Sequence, residues 1–338
     1  MVKSKHRSGI QQYIKDKPTK WGIKLWVLAD SSNGYTVDFD VYIGKTAGRQ
    51  VSVNGLGYDV VMNLIQPFVN QGYHLFFDNF YTSVKLIKDL FVLGTPAAGT
   101  VSENRIGFPQ SLKNGKKWAK KLERGSMRWE RDGPCLALQW KDNKVVSMLT
   151  TIDNANEHGQ ATRKTKTNNV WQEITVLQPH AIKRYNMYMN AVDRSDQILT
   201  TQNVLRKCMR WWKTLFFHAI DIAVVNSFLL FKEHQAQHPE IEALQRPNDF
   251  ALVNFREELV RQLCNFLNMM CLQQHPMSIL LLHLVSFRQY TCQCTHRLSR
   301  EIVLCAISRG EVRSKCTPTA VPLNVASTFT CPGKEIVL

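Results

Sequence analysis

The sequence lacks a long apolar run that is free of polar residues. Its longest apolar region, Trp211 to Phe231, contains Lys213, His218, Asp221 and Asn226. A membrane span there would bury these polar groups in hydrocarbon at a high cost in free energy. The opening residues MVKSKHRSG also lack the apolar core of a signal peptide. The sequence therefore predicts a folded protein with no membrane partner, in which this region is a buried helix.

A disulfide framework and a regular zinc motif are also missing. The nine cysteines are odd in number and scattered through the chain, which argues against a secreted disulfide scaffold and for a reducing compartment. The last 50 or so residues contain no Cys-x-x-Cys pair among their possible ligands, Cys292, Cys294, His296, Cys305, Cys316 and Cys331. We therefore expect free thiols in this tail and no zinc.

Acidic residues are scarce relative to basic ones. The chain has 43 lysines and arginines against 27 aspartates and glutamates, a formal net charge of +16. Such an excess favours a polyanionic partner, and nucleic acid is the first candidate. A basic protein without such a partner remains the alternative. The hydrophobic fraction of 44% and the length of 338 residues fit a folded protein of two or three domains.

The first hundred residues show the patterns of a sheet covered by helices. Two β-branched and aromatic runs flank the turn signal Asn33-Gly34, which predicts a hairpin. Apolar residues at helical spacing predict helices over Tyr58 to Val69 and over Ser83 to Leu93, with a short strand between them that ends before Asp78. This order predicts an α/β layer with a mixed sheet.

Two places in the chain carry aspartates that could do chemistry. Asp78 follows an apolar strand, the position from which α/β proteins often present ligating groups. The alternative is that Asp78 or Asn79 only caps the helix that follows. Asp193 and Asp196 lie three residues apart and would share one face of a helix. Their alternative role is a favourable interaction with the helix dipole.

Four blocks in a fixed order resemble the successive blocks of piggyBac transposases. They are FFDNFYTS, GTVSENRIGFP, YNMYMNAVDRSDQ and MRWWKTLFFHAIDIAVVNSFLLFKE, within a similarity that runs from about Lys3 to His234. Four ordered blocks are far more specific than any single motif. The resemblance implies an RNase H-like core, action on DNA, a homodimer and a nuclear location.

The resemblance also implies a catalytic metal site. In the family, three aspartates bind two divalent metal ions beside the DNA strand that is cut. The second and third of them match Asp78 and Asp193, which would be catalytic and would bind Mg²⁺ or Mn²⁺. Hard cations of this kind prefer carboxylate oxygens.

A basic and aromatic segment near the third aspartate is the predicted DNA contact. Trp211 matches an aromatic residue of the family that lies close to the active site and DNA, and Lys207, Arg210 and Lys213 surround it. Core packing is the alternative role for Trp211. Basic stretches at Lys113 to Lys121 and Arg163 to Lys166 are further candidates for phosphate contacts.

The chain departs from the family at its beginning. The family's first aspartate lies on a strand just upstream of the block that contains Met1, so we expect that strand and its carboxylate to be absent here. Losing one of three ligands should nearly abolish strand cutting, and losing a central strand should leave its neighbours with unpaired edges. The nearby carboxylates are poor substitutes: Asp16, Asp30, Asp38 and Asp40.

The predicted fold is an α/β, RNase H-like mixed sheet lacking its first strand, with a β-containing insertion and a helical C-terminal region. Residues 1–103 form the first part of the core, residues 104–184 an insertion, residues 185–236 the remaining core with a helical DNA-binding or dimerisation region, and residues 237–338 a divergent tail.

Three functions are compatible with these features. The first is a transposase-derived DNA-binding protein without strand cleavage or transfer. The second is an active metal-dependent transposase or nuclease with a substitute carboxylate. The third is a remnant with no specific function.

Overall fold

The computed structural model describes most of the chain up to residue 272 and the last four residues. The described residues are 1–4, 8–15, 17, 19–44, 52–167, 169–201, 203–204, 210–272 and 335–338. They belong to two units, residues 1–255 with 333–338, and residues 256–332. The sheets and the candidate site lie in the first unit.

Thirteen strands and seven α-helices make up the described residues. The strands are β1 (Val2–Lys3), β2 (Gln11–Tyr13), β3 (Trp21–Ile23), β4 (Leu25–Asp30), β5 (Thr36–Val41), β6 (His74–Phe77), β7 (Ala97–Thr100), β8 (Met127–Asp132), β9 (Cys135–Lys141), β10 (Val145–Thr150), β11 (His158–Thr167), β12 (Val170–Pro179) and β13 (Glu335–Val337). The helices are α1 (Leu56–Ile65), α2 (Val84–Val92), α3 (Gly115–Trp118), α4 (His180–Tyr188), α5 (Ala191–Thr201), α6 (Trp211–Gln237) and α7 (Leu252–Leu272).

The core is an eight-stranded mixed sheet in the order β5-β4-β13-β6-β7-β10-β9-β8. β6 pairs in parallel with β13 on one side and β7 on the other, and the remaining pairs are antiparallel. The apolar residues of the adjacent strands β13, β6 and β7 are buried, as expected for strands that are covered on both faces: Ile336, Val337, Leu75, Phe76, Phe77, Ala97 and Ala98. The predicted α/β class with a mixed sheet is confirmed.

The predicted hairpin is the pair β4–β5, which the polar residues of its turn hold in shape. The Asp30 carboxylate accepts a hydrogen bond from the backbone N–H of Ser32 at 2.8 Å, and the Asn33 side chain accepts one from Tyr35 N–H at 2.8 Å. Gly34 has a φ of +84°, which glycine adopts at little cost. A side chain at Gly34 would also meet the backbone of Ser195, so α5 lies directly against this turn.

The expectation that strands beside a missing first strand have unpaired edges is wrong. β13 lies between β4 and β6, antiparallel to the first and parallel to the second. Ile336 pairs with Asp30 on one side and Leu75 on the other. Ile336 and Val337 are buried, and the strands on their two sides, β4 and β6, both pair with β13. A segment from the predicted tail therefore completes the sheet at this position.

Two predicted helices cover the sheet where the sequence placed them. The helix expected from Tyr58 to Val69 is α1, and a short 3-10 turn continues it through Phe68. The helix expected from Ser83 to Leu93 is α2, whose buried face is Val84, Leu86, Ile87 and Leu90. The Ser83 side chain caps α2 by accepting a hydrogen bond from Leu86 N–H at 3.2 Å.

The predicted insertion, residues 104–184, contributes to two sheets. Strands β8, β9 and β10 continue the main sheet beyond β7. Strands β11 and β12 form a separate two-stranded ribbon of ten residue pairs. Trp140 of β9 donates its indole N–H to the Leu177 carbonyl at 2.8 Å, which fastens the base of this ribbon to the main sheet.

The helical region predicted from Tyr185 to His234 is formed by α4, α5 and α6, but α6 is less buried than expected. By length and composition α6 could cross a membrane, and only 22% of its most apolar window is buried. The prediction of a buried helix is therefore wrong for most of its surface. Asn226 attaches its middle to the sheet by bonding to the backbone of Thr36, and the buried Asp221 carboxylate accepts from the N–H of Val204, in the segment before α6, at 3.0 Å.

The place of β13 in the core generates a stability prediction. Replacing Ile336 with Ala removes a side chain that is 2% exposed between two paired strands. We expect the free energy of unfolding to fall by about 2–5 kcal/mol because such a truncation leaves a cavity. Urea unfolding of the full chain measures it. Ile106→Ala, at a side chain that is 95% exposed, is the control and should change stability by less than about 0.5 kcal/mol. An equally small effect of Ile336→Ala would mean that β13 is not part of the sheet.

Candidate nucleic-acid cleft

A cleft of about 390 Å³ with a mixed apolar and charged lining lies where α5 and α6 meet the sheet. The strand β4, the loop that follows β6 and the two helices form its walls. Its charged or titratable lining side chains are Lys17, Lys24, Asp78, Tyr81, Asp193, Asp196 and His218. The two predicted catalytic residues, Asp78 and Asp193, are 115 positions apart in the sequence, and the structure brings them to one cleft.

Asp78 begins the loop after β6 and is exposed to solvent. One carboxylate oxygen accepts a hydrogen bond from Phe80 N–H at 2.8 Å, and its carbonyl accepts from Thr82 N–H at 3.2 Å and from the Thr82 hydroxyl at 2.8 Å. These bonds bend the loop back over the strand end. The alternative that Asp78 caps the next helix is wrong, because Ser83 does so.

Asp193 lies in the first turn of α5, and Asp196 one turn further along. Both line the cleft, so the prediction that they share one helix face is confirmed. Arg194 donates to the Ser32 carbonyl at 2.8 Å, and the buried Ser195 hydroxyl lies 3.0 Å from the Thr36 hydroxyl. The side chains between the two aspartates therefore fix α5 to the β4–β5 hairpin and turn the aspartates toward the cleft.

Lys24 places a positive charge in the same cleft. Its ammonium lies 3.6 Å from the ring centroid of Trp26, 5.0 Å from that of Phe80 and 5.8 Å from that of Tyr42. Burial lowers the pKa of Lys24, and attraction by the Asp78 carboxylate opposes that shift. Ring faces attract cations, so this aromatic surrounding holds the ammonium in place next to Asp78.

Neutral hydroxyls complete the surroundings of Asp78. Burial raises the pKa of Tyr81, and the nearby negative charge of Asp78 raises it further. Burial also raises the pKa of Tyr185, with a smaller contribution from Asp78, and the Tyr185 hydroxyl lies 3.4 Å from that of Thr100. Both phenols therefore stay protonated near neutral pH and add no negative charge near Asp78.

His218 of α6 lines the opposite wall of the cleft. Burial lowers its pKa to about 4, and the ammonium of Met1 contributes to that shift, whereas the Asp221 carboxylate opposes it. The imidazole is consequently neutral at physiological pH. His218 therefore adds no positive charge to the cleft, although its residue type would allow one.

The cleft supplies only part of the donor set that the metal ions implied by the resemblance require. Asp78 and Asp193 supply the hard oxygen ligands that Mg²⁺ or Mn²⁺ prefers. The described part of the chain, however, contains no group of three or more His, Cys, Asp or Glu side chains placed to share a metal ion. Asp30 does not line the cleft, because its carboxylate bonds to Ser32 in the hairpin turn. These residues do not fit a two-ion site.

Three of the predicted DNA-contact residues, Arg210, Trp211 and Lys213, lie at the start of α6, the helix that carries His218 of the cleft lining. Arg210 is exposed and directly precedes the helix. Trp211 is 41% exposed and Trp212 47%, so Trp211 is not a core residue. The Lys213 ammonium lies 5.7 Å from the Trp212 ring centroid. His218, which lines the cleft, follows Lys213 by five residues, or about 7.5 Å along a helix.

Some predicted residues lie outside the described part of the chain. Lys207 and the six cysteine and histidine residues of the tail are among them. Conversely, sequence reasoning missed Lys24, Phe80 and His218 as members of the cleft. Phe80 could have been found from its place two residues after Asp78, whereas Lys24 and His218 show no signal in a single sequence.

Comparisons with known proteins agree with the resemblance. A family model described as Transposase IS4 matches residues 1–228. The human PiggyBac transposable element-derived protein 3 is 28% identical over 268 residues, which cover 77% of this chain and 42% of that protein. The human PiggyBac transposable element-derived protein 2 is 30% identical over 243 residues, which cover 67% of this chain and 38% of that protein.

A solved structure shares the fold. It is a cryo-EM structure of the piggyBac transposase synaptic complex with hairpin DNA, with a TM-score of 0.61 and 24% sequence identity. The match covers 76% of this chain and 49% of that one. This chain thus spans less than half the length of each of these proteins.

The buried imidazole of His218 generates a prediction about pH. The unfolded chain binds a proton at this residue as the pH falls below 6.5, whereas the folded protein does so only near pH 4. The contribution of His218 to stability is therefore complete above 6.5 and is lost as the pH falls toward 4. We expect the urea midpoint of the wild type to drop more between about pH 7 and about pH 5 than that of His218→Gln, which has no ring to protonate. Equal drops in the two proteins would contradict a lowered pKa.

Proposed function

Since the chain belongs to the piggyBac-type family of transposases, we propose that it is a transposase-derived DNA-binding protein that does not cleave or join DNA strands. The observation that carries the proposal is the common cleft of Asp78 and Asp193. These are the two residues that match the family's second and third catalytic aspartates. Their meeting in one cleft supports a nucleic-acid strand as the intended occupant.

The charge distribution supports DNA as the partner. The chain carries a net charge of +16, and phosphate neutralisation by lysine and arginine supplies most of the affinity of such proteins for DNA. Arg210 and Lys213 stand at the start of the helix whose next turns line the cleft. Their basic groups, with the exposed rings of Trp211 and Trp212, form a surface that suits a DNA backbone approaching the cleft.

The set of ligands supports the absence of strand cleavage. Two bound metal ions would stabilise the attacking and the leaving oxygen of a strand-cutting reaction. Asp78 and Asp193 would hold one of these two ions. The described residues offer no group of three ligands, which leaves a second ion without sufficient coordination. In this proposal the cleft therefore binds DNA without assembling the metal centre. The homodimer and the nuclear location are part of the proposal, and only the resemblance supports them.

An active metal-dependent nuclease is the second candidate, and one observation favours it. Asp196 lines the cleft with Asp78 and Asp193, so a third carboxylate is present if a bound strand and a metal ion draw the three together. Catalysis by this route would depend on Asp78 whichever residue supplied the third ligand.

The DNA-binding proposal predicts a salt-dependent affinity that depends on the start of α6. We expect log Kd to rise linearly with log salt concentration for the wild type binding a short duplex. Replacing Arg210 and Lys213 together by Gln should reduce that slope by about two, because each phosphate contact contributes about 0.9. Fluorescence anisotropy over a salt series measures the slope.

The control for this series changes the net charge by the same amount elsewhere. Lys85 and Lys88 bond to Asp89 and Asp132, so their charges are already paired within the protein. Replacing both with Gln should leave the slope unchanged. A flat salt response of the wild type would remove the DNA-binding proposal, and an equal loss of slope in both double variants would remove the role of α6.

A nicking assay separates the two candidates. We expect the wild-type chain to leave supercoiled DNA intact in Mg²⁺ or Mn²⁺, at the level of the Asp78→Ala variant, because the ligands for two ions are incomplete. Metal-dependent nicking that Asp78→Ala abolishes would establish the nuclease instead. Nicking that survives Asp78→Ala would come from another source, such as a contaminating nuclease.

A further inference from the structure

An aromatic side chain stands exposed at the cleft beside Asp78. Phe80 is 44% exposed, and its ring stacks on the buried Trp26 with centroids 5.5 Å apart and planes at 21°. Both rings line the cleft. Single exposed rings are common on protein surfaces. This ring differs from the others in lying within a cleft among charged side chains, where a ligand with an apolar face could cover it.

The loop that carries Phe80 is fixed from three sides. Its N–H donates to the Asp78 carboxylate at 2.8 Å, and Arg105 donates to the Asn79 and Phe80 carbonyls at 2.7 and 2.8 Å. Gly57 of α1 approaches so closely that a side chain there would lie 3.1 Å from the Phe80 carbonyl oxygen. The exposure of the ring is thus a property of an anchored loop.

A cation lies next to this ring. The Lys24 ammonium is 5.0 Å from the Phe80 ring centroid and lines the same cleft. Among the described residues, Lys24 forms no ion pair shorter than 4.0 Å, so its donors remain available to an anion. A flat apolar surface with an adjacent cation matches a nucleotide, whose base has a π-face and whose phosphate is negative.

We propose that Phe80 and Lys24 form a subsite for one unpaired nucleotide of DNA, with the base stacked on Phe80 and its phosphate paired with Lys24. A base inside a duplex already has neighbours on both faces and a paired terminal base is held in the helix, so an unpaired base is the one that can turn onto this ring. The subsite rests on the proposed DNA binding and adds to it a preference for DNA that carries unpaired bases.

The test compares two probes on the full chain. One is a short blunt duplex, and the other is the same duplex with a single-stranded extension that contains a fluorescent adenine analogue whose emission falls on stacking. We expect the wild type to bind the extended probe more tightly and to quench the analogue. Phe80→Ala should weaken binding of the extended probe on the order of 5- to 100-fold, with little change for the blunt one.

Three further variants separate a subsite from a general loss of structure. Phe80→Tyr keeps a stacking ring and should retain the preference and the quenching. Phe91 of α2 is 42% exposed and does not line the cleft, so Phe91→Ala is the matched control and should behave as the wild type. Lys24→Gln should weaken binding of the extended probe and reduce its salt slope by about 0.9, the contribution of one phosphate contact.

The outcomes distinguish the nucleotide subsite from the DNA-binding function on which it rests. Salt-dependent wild-type binding with equal affinity for both probes would overturn the subsite and leave DNA binding intact. If the analogue is still quenched by Phe80→Ala, the base does not stack on Phe80, and the subsite is overturned. A wild type that binds neither probe would overturn the DNA-binding function and the subsite together.

Discussion

Thr36 attaches both helices of the cleft, α5 and α6, to the sheet. Its backbone N–H donates to the Asn226 side chain at 3.0 Å, and its carbonyl accepts from the same side chain at 2.8 Å. Its hydroxyl lies 3.0 Å from that of Ser195. One residue at the start of β5 thus holds both α5 and α6. All of these groups are wholly or partly buried, so losing one partner would leave the others unsatisfied.

The position of this attachment explains the composition of the cleft. Because α5 is fixed at Ser195, Asp193 and Asp196 face the loop that begins at Asp78, and because α6 is fixed at Asn226, His218 faces it from the other side. The carboxylates share the cleft with two lysines, Lys17 and the aromatic-bound Lys24, and with the neutral ring of His218. Because like charges repel, a phosphate that enters this cleft must be accompanied by positive charge, which Lys24 or a cation can supply.

Local patterns in the sequence were sufficient for local structure. The turn signal at Asn33-Gly34 predicted the hairpin, and helical spacing predicted α1 and α2, because the residues that form these elements are close in the chain. Asp78 and Asp193 were predicted as a pair from the resemblance, and the structure places both in one cleft; their catalytic and metal-binding roles stay predictions. What a single sequence could not reveal depends on distant partners.

The clearest example of a distant partner is β13. Glu335–Val337 is too short to show a periodicity, and its partners at Ala29 and Leu75 are more than 250 positions away. The ring of Phe80 is exposed for a similar reason, since Arg105 and Gly57 fix the loop from elsewhere in the chain. The apolar composition of α6 predicted a buried helix. Its actual exposure depends on tertiary packing, which composition does not reveal.

The most direct test of this account measures whether Asp78 and Asp193 face one another across a single cleft. Both would be replaced by Cys in a chain whose native cysteines are replaced by Ala, and the folded protein would be treated with a short thiol-specific cross-linker. The account predicts an intramolecular link between the two positions that disappears when the protein is unfolded in urea. Asp78→Cys with Asp249→Cys is the comparison pair and should remain unlinked. No link between positions 78 and 193 in a folded protein would contradict the account.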